Sequence, residues 1–367
     1  MNKQWSAKDD TIIFDSHFDE ELDIELISDF TKIIFNDYYS NNYEFFTDDH
    51  FDYYINYCDR NEIYGVFPYV NHKFTIISNS RFNRDISNLP HNLTFLTLGY
   101  SFDRDVSNLP LSLTRLTFGC SFNCDVSKLP HSLTVIIFGD CFNQNVSNLP
   151  PFLIHLIFGA YFNQDVSNLP PNLIHITFGF YFNQDISKLP HTLTHLNIGC
   201  MFRQQSSIPP NVKYLKLDCD NPYIIDSLPN HVIELEINRN FSLEMNNLPT
   251  SIKKIVINKK SHYNTDLNCL PDFVEELHLN SYYRKRILNI PSNLKKLKCD
   301  KYYPYKDDFA MIDIENICEY TIVRDFTKQS ETQLQEQSHP QKKKPIYDFC
   351  KKIYNEISKI THHITKK

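Results

Sequence analysis

The sequence predicts a repeat solenoid that adds one short parallel β-strand with each turn of about twenty residues. Three observations carry that expectation. First, one twenty-residue unit is written six times without insertion between Phe82 and Phe202, and its clearest copies are FNQDVSNLPPNLIHITFGFY (162–181) and FDRDVSNLPLSLTRLTFGCS (102–121). Second, Phe recurs at 82, 102, 122, 142, 162, 182 and 202, Leu-Pro at 89/90 through 189/190, and Gly at 99, 119, 139, 159, 179 and 199, six of the seven glycines in the chain. Third, each copy contains the apolar spacing L-x-x-[LI]-x-[LFI], as in Leu93, Leu96 and Leu98. Self-similarity at a fixed period of this kind marks stacked turns and outranks local signals.

Within a copy, Leu96 and Leu98 alternate, so they share one face of a short strand while residues 95 and 97 point to the other. The following Phe and the Val or Ile four residues on (Phe102, Val106) re-enter the core. Gly at the strand's end is expected to supply a backbone conformation that other residues resist. Pro at 90 and its equivalents has no N–H and a fixed φ, so that segment cannot lie in a central ladder and is read as an extended edge on the back of the coil. A lone unit has too few apolar side chains to offset the ordering of twenty residues, so neighbouring copies must stack.

The combination F-N-x-D-[VI]-S-N-L-P-x-x-L-x-x-L-x-F-G resembles the FNIP repeat, a short relative of the leucine-rich repeat found in social amoebae and in giant viruses that infect amoebae. Its LP-x-x-L-x-x-L-x-[FL] core is similar to the shortest bacterial leucine-rich repeats. The family unit has about twenty-two residues where this one has twenty, and Asp-Val or Asp-Ile follows a variable residue here in place of Ile-Pro. The resemblance implies a leucine-rich-repeat-like solenoid used for protein–protein interaction, with no particular reaction, and for a viral chain a place in the host cytoplasm.

Residues 1–63 are acidic and aromatic, with sixteen Asp/Glu against four Lys/Arg. Leu22, Leu26, Phe30, Ile33 and Ile34 fall at helical spacing, which predicts one or two helices capping the solenoid. The resemblance adds an alternative, because related proteins often pair such repeats with an F-box; no Leu-Pro occurs before residue 89, where an F-box usually opens with one. The repeat region is expected to run over 64–300. Phe67-Pro68 and FTII (74–77) offer a first turn ahead of the clean copies at 82–202. Degenerate copies follow over 203–300, with Ile208-Pro209, Leu228-Pro229, Leu248-Pro249, Leu270-Pro271 and Ile290-Pro291 and the strands VKYLKL, VIELEI, IKKIVI, VEELHL and LKKLKC.

After residue 300 the composition changes. Residues 301–327 are read as a C-terminal cap, with CEYTIVRDF closing the end, and 328–345 as a polar, flexible linker. Residues 346–367 carry Ile346, Phe349, Ile353, Ile357, Ile360 and Ile364 on one helical face, and eight lysines against Asp348 and Glu356 lie between 342 and 367. That predicts a basic amphipathic helix, which either docks on its own chain or contacts a partner protein or an anionic membrane surface.

The net charge of −7 gives no global attraction to nucleic acid. The N-terminus lacks an apolar signal core and no run of eighteen apolar residues occurs, so neither secretion nor a membrane span is expected. The ten cysteines have no CxxC spacing, which fits reduced thiols in a cytoplasmic protein. Phosphate loops and the GxSxG, HExxH and Cys–His signatures are missing, so no catalytic residue, metal or cofactor is expected.

The candidate site is instead a face. Positions equivalent to 82, 86, 89, 90, 93, 96 and 99 barely vary between copies and answer to packing; 84, 91, 95, 97, 100 and 101 vary and are read as facing solvent or a partner. The outward column runs Phe95, Arg115, Val135, His155, His175, His195, beside Ile137 and Ile157. These eight residues are the expected partner-binding set, joined by Tyr161, Phe180 and Tyr181. Three stacked imidazoles also raise metal binding, but their spacing and the missing fourth ligand favour a solvated row. In later copies the outward positions become Glu234, Glu236, Lys254, Glu276, Lys296 and Lys298, a pattern that stabilises a sheet by itself. The functional expectation is a non-catalytic protein-binding scaffold; the alternative is a substrate receptor of a ubiquitin ligase, docked on the adaptor through its N-terminal region.

Overall fold

In the computed structural model, each repeat contributes one strand of three or four residues to a single sheet, and strand order follows chain order throughout. The structure describes residues 5–14, 18–35, 80–259 and 261–316. The chain divides into two compact units, 1–319 and 320–367, and every described residue lies in the first. The strands are β1 (Trp5–Lys8), β2 (Thr11–Phe14), β3 (Lys32–Phe35), β4 (Phe95–Thr97), β5 (Arg115–Thr117), β6 (Val135–Ile137), β7 (His155–Ile157), β8 (His175–Thr177), β9 (His195–Ile198), β10 (Tyr214–Leu217), β11 (Glu234–Ile237), β12 (Lys254–Ile257), β13 (Glu276–His278), β14 (Lys296–Cys299) and β15 (Asp313–Asn316). β1 folds back antiparallel on β2, and all the other pairs are parallel. Two short helices interrupt the coils, α1 (Ile24–Ile27) and α2 (Pro222–Asp226).

The strands stack without slippage. Leu96, Leu116, Ile136, Leu156, Ile176 and Leu196 lie opposite one another on consecutive strands and are buried. Just before each strand, one carbonyl accepts two N–H groups from the next turn: Thr114 O from Thr134 (2.9 Å) and Val135 (3.2 Å). Behind the sheet, two aromatic columns fill the core. Phe102, Phe122, Phe142, Phe162, Phe182 and Phe202 stack with ring centroids 6.0–6.2 Å apart. Phe118, Phe138, Phe158 and Phe178 form the second column at 5.3–5.7 Å. The columns touch within each turn, as Phe138–Phe142 at 3.8 Å and Phe158–Phe162 at 3.7 Å. Burial of such rings at every turn supplies the inter-turn attraction that a single unit lacks.

The Phe-Asn pair has two functions. Phe stacks in the core, while the Asn side chain reaches the next turn. Asn123 Oδ1 accepts the Asn143 N–H (2.8 Å), Asn143 Oδ1 that of Asn163 (2.9 Å) and Asn163 Oδ1 that of Asn183 (2.8 Å). The following Asp-x-Ser closes a local turn, with Asp105 accepting both the Ser107 N–H (3.0 Å) and hydroxyl (2.7 Å). Those bonds hold the Asp105, Asp125 and Asp165 carboxyls below their ordinary range. The Leu-Pro segment is a turn and not an extended edge: the Pro110 carbonyl accepts the Leu113 N–H at 3.2 Å, directly before the strand.

Three further expectations are corrected. The glycines do not occupy a left-handed conformation, since no described glycine has positive φ. They are needed for close approach: a Cβ on Gly119 would stand 2.0 Å from the Gly99 carbonyl oxygen, and one on Gly179 2.0 Å from that of Gly159. Second, the described N-terminal residues are mostly turns of the solenoid where helices were expected. α1 is a single turn capped by Asp23, and Ile33 and Phe35 are buried on alternate positions of β3. TIIF (11–14) and KIIF (32–35) are strands twenty-one residues apart, and Phe14–Phe18 (4.3 Å) repeats the Phe118–Phe122 contact (3.8 Å). Third, the place beside β4 expected for FTII (74–77) is held by β3, and the carbonyl of Thr31 just before it accepts the Thr94 and Phe95 N–H groups. Phe35 stacks on Phe82 at 3.9 Å, so the coil begun by β3 is completed from Ser80 onward.

FTII, Phe67-Pro68, CEYTIVRDF, the expected linker (328–345) and the expected helix (346–367) lie outside the described residues. In the expected C-terminal cap, a short 3-10 turn (Lys306–Phe309) buries Phe309, Arg286 grips Asp308 with two bonds of 2.7 and 3.0 Å, and β15 adds a further strand to the sheet.

Candidate functional site

The side of the sheet that carries positions 95 and 97 is organised in two columns, because in-register parallel pairing places equivalent residues beside each other. The first column runs Lys32, Phe95, Arg115, Val135, His155, His175, His195, Tyr214, Glu234, Lys254, Glu276, Lys296, Asp313. All the residues expected in it from sequence are there, and Tyr214 extends it. The imidazoles of His155 and His175 lie 4.5 Å apart, those of His175 and His195 3.8 Å, and the Tyr214 ring stacks on His195 at 4.2 Å. The rings of His175, His195 and Tyr214 are within 13° of parallel, so they occupy one another's faces and turn their edges outward. Lone pairs in parallel planes do not converge on one point, which is poor geometry for a shared metal.

The second column places Ile137 beside Ile157, then Thr177 and Asn197, which are joined by a 3.0 Å hydrogen bond. Val135, Ile137 and Ile157 form a small apolar cluster of their own, separate from the main core. Their exposures are 6%, 4% and 6%. They make an apolar floor, whereas Phe95, Arg115 and the three histidines are half-buried. His195 Nδ1 shares a hydrogen bond with Thr194 Oγ1 (2.8 Å).

From β10 onward the same face closes on itself through charges. Lys216 reaches Glu236 at 2.6 Å and Lys254 reaches Glu234 at 3.0 Å, each across one strand boundary. Glu276 accepts from His278 at 2.6 Å and lies 3.9 Å from Lys296. Burial holds the His278 imidazole below its ordinary pKa despite that carboxylate. At the strand entrance, hydrogen bonds from Lys253 (2.6 Å) and Lys295 (2.7 Å) bring the Glu275 carboxyl down to about 2.

The rim after the strands differs from the expectation. Tyr100, Cys120, Asp140 and Ala160 vary from turn to turn yet are buried, whereas Phe180 and Cys200 at the same position are half-buried. Asp140 Oδ1 accepts the Ala160 N–H at 3.1 Å, its other oxygen has no hydrogen-bond partner, and burial pushes the carboxyl up to about 6. Tyr161 and Tyr181 stack at 5.1 Å, with Phe180 edge-on to Tyr181 at 4.8 Å, so the three sit together on this rim and not on the strands. Among the described residues no helix is long and apolar enough to cross a membrane, and no group of three or more His, Cys, Asp or Glu is placed to hold a metal ion.

Comparison with known proteins follows the same pattern. The family model of the FNIP repeat matches residues 82–121, 105–141, 165–201 and 204–240. Among solved structures, CroV588, a circular leucine-rich-repeat protein of a giant virus, is similar with a TM-score of 0.54 and 24% identity over 86% of this chain and 49% of that one. The present chain thus spans about half the length of that relative. YopM from Yersinia enterocolitica (TM-score 0.38, 20% identity, 62% of this chain and 53% of that one) and InlJ from Listeria monocytogenes (0.28, 14%, 60% and 66%) are more distant. No curated protein matches the sequence.

Proposed function

We propose that this chain, an FNIP-repeat protein, is a non-catalytic scaffold that binds a partner protein on the front of its sheet between β4 and β9. The observation that carries this reading is the change of chemistry along one unbroken column. Phe95, Arg115, Val135, His155, His175 and His195 lie in register on consecutive strands, and beyond Tyr214 the column turns into ion pairs between adjacent strands. Ion pairs that satisfy each other leave little for a partner. An apolar and aromatic strip on a rigid sheet loses little entropy on binding, and aromatic or Arg anchors usually dominate such interfaces. In this reading Phe95 and Arg115 are anchors, the edges of His155, His175 and His195 give polar contacts, and Val135, Ile137 and Ile157 form the floor. The ligase-receptor alternative depends on a helical N-terminal module, and the described residues there supply strands and one helical turn.

Affinity purification from the native cell tests the assignment. Phe95→Ala combined with Arg115→Glu is expected to lose the captured partner while the fold is kept, and Glu234→Gln combined with Lys254→Gln to retain it. Loss with the second variant and retention with the first would put the binding face in the other half of the solenoid.

A further inference from the structure

The rim after the strands repeats one contact. The residue two after each glycine donates its N–H to the carbonyl of the residue one after the preceding glycine: Ser121 to Tyr100, Cys141 to Cys120, Tyr161 to Asp140 and Tyr181 to Ala160, all at 2.8–2.9 Å. In these four pairs the side chains vary, and one pair consists of two thiols. Cys120 Sγ and Cys141 Sγ are 3.9 Å apart, held there by a 2.9 Å backbone hydrogen bond between the same two residues. A disulfide needs sulfurs about 2.05 Å apart, so the two side chains must turn towards each other to close the gap. We propose that Cys120 and Cys141 form a reversible disulfide that staples the turn of β5 to that of β6.

The two sulfurs differ in access, which sets the order of events. Cys141 is half-buried and Cys120 is 4% exposed. The Cys141 thiolate attacks one sulfur of a small-molecule disulfide, a thiol leaves, and a mixed disulfide remains on Cys141. Cys120 gives its proton to solvent and attacks the Cys141 sulfur, and the second small thiol leaves. The protein loses two hydrogens and gains one S–S bond, and the small disulfide is reduced to two thiols. Two of the other described cysteines, Cys124 and Cys219, compete poorly. Burial and a 3.2 Å hydrogen bond to Asp103 push Cys124 up to about 12, and burial pushes Cys219 to about 12, so neither supplies thiolate readily. The staple lies where β5 and β6 end, next to the apolar floor at Val135 and Ile137. It opposes parting of these two turns, the local opening that a stack of nearest-neighbour units permits.

Peptide mass mapping with differential alkylation tests this on the full native chain, equilibrated with oxidised glutathione and then returned to reduced glutathione. The expected result is one linked peptide pair containing Cys120 and Cys141, lighter by two hydrogens and reversed by reduction. With Cys120→Ala, Cys141 is expected to stop at a glutathione adduct. Full alkylation of both thiols after oxidation, or a link from either one to a third cysteine, overturns the proposal.

Discussion

The carbonyl oxygen of Gly99 lies 2.0 Å from where a Cβ on Gly119 would stand, with the Gly99 carbonyl carbon at 2.4 Å. Two turns therefore approach closely through bare backbone, and the atom in the way belongs to the main chain and cannot rotate aside. Ala in place of Gly usually stabilises by restricting the unfolded chain, but an obstructed site reverses the sign. Gly139→Ala, whose Cβ would meet the Gly119 oxygen at 2.0 Å, should lower stability by roughly 1–3 kcal/mol or more. Urea denaturation checks this: an unchanged or raised midpoint would mean that the turns are further apart than described.

The inside–outside alternation of the strands is tested by neighbouring residues. Leu156 is fully buried between Ile136 and Ile176, whereas His155 faces outward. Leu156→Ala should cost about 2–5 kcal/mol, and His155→Ala about 1 kcal/mol from lost ring stacking. Similar midpoint shifts for the two would overturn the strand register.

Much of this architecture was legible because a repeat reports on itself. Leu93, Leu96 and the Leu-Pro box hardly change between copies, and the structure buries each of those leucines. The N-terminal turns were hidden because Leu22, Leu26, Phe30, Ile33 and Ile34 satisfy a helical period, while β2 and β3 follow no Leu-Pro box. The spacing of TIIF and KIIF was the signal available. Tyr214 escaped its column because the interval from His195 is nineteen residues instead of twenty. Asp140 was misread as outward because its column varies, holding Tyr100, Cys120, Ala160, Phe180 and Cys200, yet the first three of these are buried as Asp140 is. The reason for the glycines lay in a contact between turns, which no single copy displays.

Asp140 gives a pH dependence of definite sign. Its folded pKa of about 6 lies above the ordinary carboxylate range, so protonation favours the fold. The penalty is full above pH 7 and disappears as the pH falls through 6 towards 4. A shift of this size corresponds to on the order of 3 kcal/mol. Asp140→Asn, which keeps the acceptor for the Ala160 N–H, should stabilise the chain at pH 8. Its advantage over the wild type should fall by about half at pH 5. Melting curves of both proteins at the two pH values decide this; an equal advantage at pH 8 and 5 would show that the carboxyl is not buried as a charged group.

The central claim is that a partner lies against the outward column of β4 to β9, and photo-cross-linking tests it most directly. A benzophenone side chain in place of Phe95 would sit on the first strand of that face. The same group in place of Leu111, which is 82% exposed in the turn before β5, would sit off it. Irradiation in the native cell is predicted to join a partner protein to the Phe95 position and not to the Leu111 position. A partner joined at Leu111 and absent at Phe95 would contradict the account.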